Sequence, residues 1–180
     1  LSPATQVHAV AAGAAGKLAF SSAPQTLVAG DCSSVATVQP FDAFDNPATT
    51  TANATLALST VWPGITFFSD SSCTVAATTA PLPAGAAAAS FYFRGTTSGA
   101  AVLSVTAAGF TAGTQTETVN PGPARKLAFF VQPLGAIALQ PLTPDVQVIG
   151  QDDFNNRATG FTGSVAVALG TNPGAATLSG

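Results

Sequence analysis

The sequence GKLAF at Gly16–Phe20 returns as RKLAF at Arg125–Phe129, with a period of 109 residues. When the two regions are aligned without a gap, further residues of the first copy recur in the second: Thr5, Gln6, Val10, Gly13 and Ala15. A later match, FDNPAT from Phe44 and FNNRAT from Phe154, follows a one-residue insertion. Self-similarity at a domain-sized period predicts tandem domains rather than one fold with a duplicated site.

The register of the repeat divides the chain into three parts. Residues 1–13 match the end of the first repeat, so we predict that they are the last strand of a preceding repeat or a donor strand. Residues 14–120 make one complete domain, and residues 121–180 correspond to the first half of a second domain. An excerpt from a longer array is the preferred explanation of this register, and a native subunit that exchanges strands is the alternative.

The complete repeat is rich in short strand-like runs that are bounded by Gly, Pro, Asp or Ser and spaced about ten residues apart. Along SFYFRG, Phe91 and Phe93 share one face of a predicted strand and Tyr92 lies on the other. The predicted strands are Lys17–Ser22, Ser34–Phe41, Ala54–Ser59, Ile65–Ser69, Ala88–Arg94, Ala101–Ala107 and Thr114–Val119. This pattern predicts an all-β protein of tandem immunoglobulin-like β-sandwich domains, one complete and one incomplete.

The composition narrows the class of protein. Hydrophobic residues make up 47% of the 180 residues, which is ample for a core and argues against disorder. The five Lys and Arg residues are scattered singly, so no basic stripe is present that could bind a nucleic acid. No run of 18 apolar residues occurs, so no membrane-spanning segment is predicted.

Four stretches of the chain carry a resemblance to a known family: KLAF, VAGDCSSVATVQPFDAFDNPAT, FFSDSSCT and SFYFRGTTSGAAVLSVTAAG. They resemble bacterial immunoglobulin-like repeats of the Big type, which occur in tandem in large secreted or surface-anchored proteins and share a general plan with the repeats of invasin-type adhesins. The resemblance covers nearly the whole chain and implies a spacer or adhesive scaffold without catalytic activity. The second unit resembles the first half of a cysteine-free relative.

Cys32 and Cys73 are the only cysteines of the chain. Two cysteines are too few for a four-ligand zinc site, and their spacing is not that of a redox motif. A structural disulfide is therefore the favoured interpretation, and the resemblance also implies that the two residues pair. A disulfide points to an oxidising compartment, so we expect an extracellular or cell-surface location.

Oxygen-bearing side chains cluster after the second predicted strand in both copies. The first cluster contains Asp42 and Asp45, and the second contains Asp152 and Asp153, each with neighbouring asparagines. Oxygen ligands are those that Ca²⁺ prefers, so a bound calcium ion is one hypothesis. The spacing matches no EF-hand loop, and Asp and Asn also form turns with their own backbone, which is the favoured interpretation. No other cofactor is expected.

The sequence contains few residues that could form a catalytic or covalent-modification site. His8 is the only histidine and has no acid, base and nucleophile partners around it, so no enzyme is predicted. Lys17 and Lys126 open the first strand of each unit and could join an asparagine through an isopeptide bond, although a surface lysine is the simpler interpretation. Asn53 fits a glycosylation acceptor by a short and unspecific motif.

Tyr92 and Trp62 are the candidate ligand-contacting residues, because exposed aromatic rings stack on sugars. Packing within the fold is the alternative explanation for both residues. Three functions are consistent with these observations. The first is a rod-like spacer or adhesive segment of an extracellular surface or filament protein, whose partners are neighbouring repeats. The second is a filament subunit that donates residues 1–12 to the incomplete second domain, and the third is a module that binds a glycan or a host protein.

Overall fold

A computed structural model describes residues 3–172 and 174–178 and shows no helix among them. The chain is all-β and divides into two compact units, Leu1–Pro121 (unit 1) and Gly122–Gly180 (unit 2). None of the described residues forms a helix long and apolar enough to cross a membrane.

Unit 1 is a sandwich of two sheets. Its strands are β1 (Lys17–Phe20), β2 (Thr26–Val28), β3 (Ala36–Phe41), β4 (Ala54–Thr60), β5 (Ile65–Phe68), β6 (Thr79–Leu82), β7 (Ala89–Gly95), β8 (Gly99–Thr106) and β9 (Gly113–Asn120). One sheet has the order β1-β3-β7-β5 and the other has the order β2-β9-β8-β4-β6. Neighbouring strands are antiparallel except β2 and β9, which are parallel.

The chain changes sheet at every connection of unit 1 except the last, from β8 to β9. In variable-type immunoglobulin domains, the two strands that enlarge one sheet come in the chain directly after the strand to which they are added, before the chain returns to the other sheet. Here β5 joins the four-stranded sheet before β6 joins the five-stranded one. The sheet positions are thus immunoglobulin-like, whereas two strands occur in the opposite chain order.

The core lies between the two sheets and follows the alternation of each strand. Phe91 and Phe93 of β7 are fully buried and belong to one hydrophobic cluster with Leu103 and Val105 of β8. Burial of each such side chain contributes about 1.5–3 kcal/mol. Phe91 also contacts Phe67 edge to face, with the ring centroids 5.8 Å apart. The prediction that Phe91 and Phe93 share one face of the strand is confirmed, and the structure shows that this is the inner face.

All seven predicted strands occur, with ends shifted by at most two residues. Two short strands, β2 and β6, were not predicted. Residues 3–12, predicted as a strand of another repeat, form no strand here and are exposed throughout.

Unit 2 has one two-stranded antiparallel sheet among its described residues, formed by β10 (Lys126–Val131) and β11 (Gln147–Gln151). Lys126 pairs with Gln151 at one end of this sheet. The ladder is regular up to Phe129 and then shifts register. β10 and β11 are the counterparts of β1 and β3.

Candidate functional site: an aspartate clamp before the first strand of each unit

A tight turn follows β3 in unit 1. The N–H of Asp42 donates to the carbonyl of Asn46 at 3.0 Å, and three residues lie between them. Asp45 has a φ of 65°, a left-handed conformation that Asp and Asn adopt more readily than most residues. A tight turn is therefore present at the position where the sequence predicts one.

The carboxylate of Asp42 is buried, with 2% of the residue exposed. Its Oδ1 accepts the N–H groups of Phe44 at 2.8 Å and Asn46 at 2.9 Å. Its Oδ2 accepts the side-chain amide of Asn46 at 3.0 Å and the N–H of Gly13 at 2.8 Å. The hydrogen bonds from the Asn46 side chain and from Gly13 hold the pKa of Asp42 well below its usual range. Gly13 lies four residues before β1, so Asp42 binds the backbone of the segment that leads into the unit.

Unit 2 repeats this arrangement. Asp152 is 2% exposed and accepts the N–H groups of Gly122, Phe154 and Asn156 at 2.9, 2.9 and 2.8 Å. Burial of Asp152 raises its pKa, but the hydrogen bonds, led by the Asn156 side chain and Gly122, outweigh burial and lower it overall. Asn155 has a φ of 70°, in the same left-handed region as Asp45 of unit 1. We call these two arrangements, Asp42 with Gly13 and Asp152 with Gly122, the aspartate clamps.

Within each unit, the two predicted calcium ligands make separate contacts. The oxygens of Asp42 and Asp152 face N–H donors, whereas Asp45 is exposed and forms an ion pair with Lys17. Asp153 lies 3.9 Å from the Arg125 guanidinium. No group of three metal-ligating side chains was found in residues 3–172 and 174–178. The geometry favours the turn interpretation for both clusters.

Unit 1 begins and ends at opposite ends of its sandwich. β1 and β9 run in the same direction, because Lys17 bridges to Thr111 in parallel and the N–H of Leu18 donates to the Thr111 carbonyl at 3.0 Å. β9 then extends over eight residues, about 26 Å at about 3.3 Å per residue. It ends at Asn120, whose carbonyl accepts the Ala29 N–H at 2.8 Å. We call the end near Gly13 the leading end and the end near Asn120 the trailing end.

Cys32 and Cys73 form a disulfide, with their Cα atoms 5.7 Å apart. The covalent loop that it closes contains the whole of β3, β4 and β5. Arg94 lies beside it, donates to the carbonyl of Cys73 at 3.1 Å and stacks over the ring of Phe68. The disulfide thus fastens the loop after β2 to the turn after β5.

The candidate ligand-contacting residues have separate surroundings. Trp62 follows β4, and its indole N–H donates to the carbonyl of Thr97 at 3.2 Å. Its ring lies so close to Gly99 that a Cβ there would be 2.3 Å from a ring carbon. Tyr92 is half-buried on β7 and pairs across the strands with Phe68. Trp62 therefore packs against the backbone at Thr97 and Gly99, and both Trp62 and Tyr92 remain partly exposed.

The other predicted positions show no shared site. His8 and Lys126 are exposed, and Lys17 pairs with Asp45 rather than with an asparagine of β9. Asn53 is exposed, and its side-chain oxygen accepts the N–H of Ala84 at 2.9 Å.

Glu117, which no sequence motif singled out, is completely buried on the inner face of β9. Its carboxylate accepts the N–H of Gln25, between β1 and β2, and the side-chain amide of Gln115 at 2.9 Å. Burial raises the pKa of Glu117 against the effect of these hydrogen bonds. The one available signal was the alternation of β9, which places Glu117 on the same face as Val119.

No family model and no curated protein matches this chain. Among solved structures, a glycosyl hydrolase family 2 member from Bacteroides cellulosilyticus is 16% identical with a TM-score of 0.47, over 61% of this chain and 15% of that chain. A beta-glucuronidase from glycoside hydrolase family 2 is 14% identical with a TM-score of 0.48, over 61% of this chain and 12% of its own. The S-layer protein rSbsC is 15% identical with a TM-score of 0.41, over 82% of this chain and 17% of that chain. This chain spans less than a fifth of each of these proteins, so their activities are not carried over to it.

Proposed function

We propose that this chain is a structural spacer segment of an extracellular surface protein, in which immunoglobulin-like units succeed one another in an extended array. The observation that carries the proposal is the aspartate clamp, which holds the backbone before the first strand in both units. The opposite placement of the leading and trailing ends of unit 1 supports it, because a chain that crosses a unit from end to end adds the length of that unit to an array.

The clamp of unit 2 acts on a stretch with little backbone freedom of its own. Gly122 lies between Pro121 and Pro123, which have fixed φ angles and no N–H. The N–H of Gly122 is thus the only backbone donor of these three residues, and it binds Asp152. The N–H of Arg125 then donates to the Gln151 carbonyl at 2.7 Å. These bonds fix the path of the linker into β10, which a spacer requires.

The disulfide supports the extracellular part of the proposal. Structural disulfides persist in oxidising compartments and are rare in reducing ones. The Cys32–Cys73 bond joins two loops and accounts for both cysteines of the chain.

The proposal is tested by small-angle X-ray scattering on the full chain, with Asp152→Ala compared with Asp145→Ala. Asp145 is an exposed carboxylate of the same unit outside the clamp, so the two variants match in charge. We expect an elongated wild-type particle, an unchanged D145A particle and a broader distribution of distances for D152A. A wild-type particle that scatters as a compact globule would overturn the spacer function.

A second candidate is assembly by strand donation, which one observation favours. Val7 and Val10 are 96% and 94% exposed in the unpaired residues 3–12, and their counterparts in unit 1 belong to β9. Apolar side chains of β10 are also exposed, including Leu127 and Phe129. A second copy of the chain could bring these surfaces together. Negative-stain microscopy after removal of denaturant tests the idea, which fails if the chain stays monomeric.

A further inference from the structure

We propose that Asn53 accepts an asparagine-linked glycan during export of the chain, and that this glycan shields the edge of the five-stranded sheet of unit 1. The proposal goes beyond the spacer function and shares with it only the extracellular location, because this modification is made in a secretory pathway.

The acceptor motif occurs once in the chain. Residues 53–55 read Asn-Ala-Thr, with a residue other than proline in the middle. Of the six asparagines, Asn53 is the only one with Ser or Thr two positions later. The others are followed by proline or lie in the turn of the second clamp: Asn46, Asn120, Asn155, Asn156 and Asn172.

Both side chains of the motif are accessible. Asn53 is exposed in the bend immediately before β4, outside the paired part of the strand. Thr55 is exposed on the outer face of β4, because the alternation of the strand buries Leu56 on the inner face. The structure thus meets the requirement that an acceptor of this type lies on the surface.

The fold can retain its contact with Asn53 after modification. The side-chain oxygen Oδ1 accepts the N–H of Ala84 at 2.9 Å, whereas the glycan is attached to the nitrogen Nδ2. In the reaction, Nδ2 forms a bond to C1 of a sugar carried by a lipid diphosphate, and the bond from C1 to the diphosphate breaks. The lipid diphosphate leaves with the electron pair, and Nδ2 gives one proton to a base of the transferase. Because Oδ1 is unchanged, the bond to Ala84 can persist.

Two further bonds place the acceptor beside the edge strand β6. The hydroxyl of Thr50 donates to the carbonyl of Pro83 at 3.2 Å, and the N–H of Gly85 donates to the carbonyl of Thr50 at 2.8 Å. Ala54, directly after the acceptor, pairs with Leu82 at the end of β6. A glycan on Asn53 is therefore held next to β6.

This part of the surface lacks the usual protection of a sheet edge. Natural proteins keep edge strands from pairing with other chains mainly by charged side chains, proline or a cover. None of the exposed side chains of β2, β4, β6, β8 and β9 is charged, and Pro81 is the one interruption of β6. A bulky, hydrated glycan supplies the barrier that charges supply elsewhere.

The first experiment measures the intact mass of the full chain after export from cultured cells whose secretory pathway glycosylates asparagine. Wild type is compared with Asn53→Asp, Thr55→Ala and Thr55→Ser. Wild type and T55S should carry one glycan on the peptide that contains Asn53, whereas N53D and T55A should carry none. N53D keeps an oxygen for the N–H of Ala84, and T55A changes an exposed side chain, so both should fold.

Wild type that is secreted with the mass of the bare polypeptide would overturn the proposal, even if a variant does not fold. A glycan that persists in N53D would overturn it as well.

The second experiment tests the shielding of β6 by sedimentation at increasing protein concentration. Removal of the glycan by an amidase converts the asparagine to aspartate, so the product has the sequence of N53D. Both proteins should lose monomer at concentrations where the glycosylated chain stays monomeric. In N53D, the further change Thr79→Lys places a charge on β6 and should restore the monomer, whereas Thr114→Lys on β9, which has neighbours along both edges, should not.

Equal association with and without the glycan, or equal rescue by the two lysines, would contradict the shielding of the edge. Because scattering reports the extended array and the mass reports the acceptor, the spacer function and the glycan site can each fail without the other.

Discussion

The first strands of the two units, β1 and β10, share the sequence KLAF but differ in how far their side chains are buried. Leu18 of KLAF is 3% exposed in unit 1, whereas its counterpart Leu127 is 50% exposed in unit 2. Asp42 and Asp152 are both 2% exposed, with matching hydrogen bonds. The clamp therefore forms wherever β1 and β3 or their counterparts pair, because its donors lie close to them in the fold. Burial of the leucine needs a second sheet, which only unit 1 has among the described residues.

The largest expected effect comes from removing the disulfide, which joins two loops of unit 1 and has no counterpart in unit 2. The double variant Cys32→Ser, Cys73→Ser should lose about 4 kcal/mol of unfolding free energy in the chain-entropy model. The disulfide closes a loop with a sequence separation of 41, and its removal gives the unfolded chain back the conformational entropy of that loop. Denaturant unfolding followed by the fluorescence of Trp62, the single tryptophan, reports unit 1. The clamp of unit 2 has no part in the disulfide, so the Gly122 amide should keep its protection from hydrogen exchange. Loss of that protection would show that the two units depend on each other.

The next effect tests the comparison at one sequence position. Leu18→Ala should cost about 2–5 kcal/mol of unfolding free energy, because it removes buried methyl groups and leaves a cavity. Leu127→Ala, the matched change in the same motif, should change the stability of the chain by less than about 1 kcal/mol, because half of the residue is already exposed. Urea unfolding of both variants decides the point. Similar costs would mean that Leu127 is covered in solution.

The smallest effect is on the pH dependence of stability. Burial raises the pKa of Glu117 above its ordinary value of 4.5, so its favourable contribution is present below that value and declines as pH rises through the folded pKa. Asp152 behaves in the opposite sense, since its lowered pKa stabilises the fold above 3.8 and this gain is lost as pH falls. Glu117→Gln should therefore gain stability relative to the wild type as pH rises from 4.5 to neutral. Unfolding curves in which both proteins keep the same difference at every pH would contradict this assignment.

Much of the fold was predictable because long strands carry their own pattern. The alternation of aromatic and polar residues along β7 predicted both the strand and which of its residues share a face. β2 was not predictable, since a three-residue strand has no pattern and forms because β9 lies beside it. β6 was missed because it is short and contains Pro81, which suits an edge strand. The composition of the clamp was visible in the repeat, but its partner Gly13 lies 29 residues from Asp42.

The sequence by itself determined the repeat, the all-β class, the longer strands and the aspartate turns, because these depend on alternation and on contacts between near neighbours in the chain. The tertiary structure alone decided that β2 runs parallel to β9, that Asp42 binds the segment before β1, and that Glu117 is buried against Gln25. Each of these joins residues far apart in the chain. Such contacts arise from the pairing of whole sheets, which no local pattern encodes.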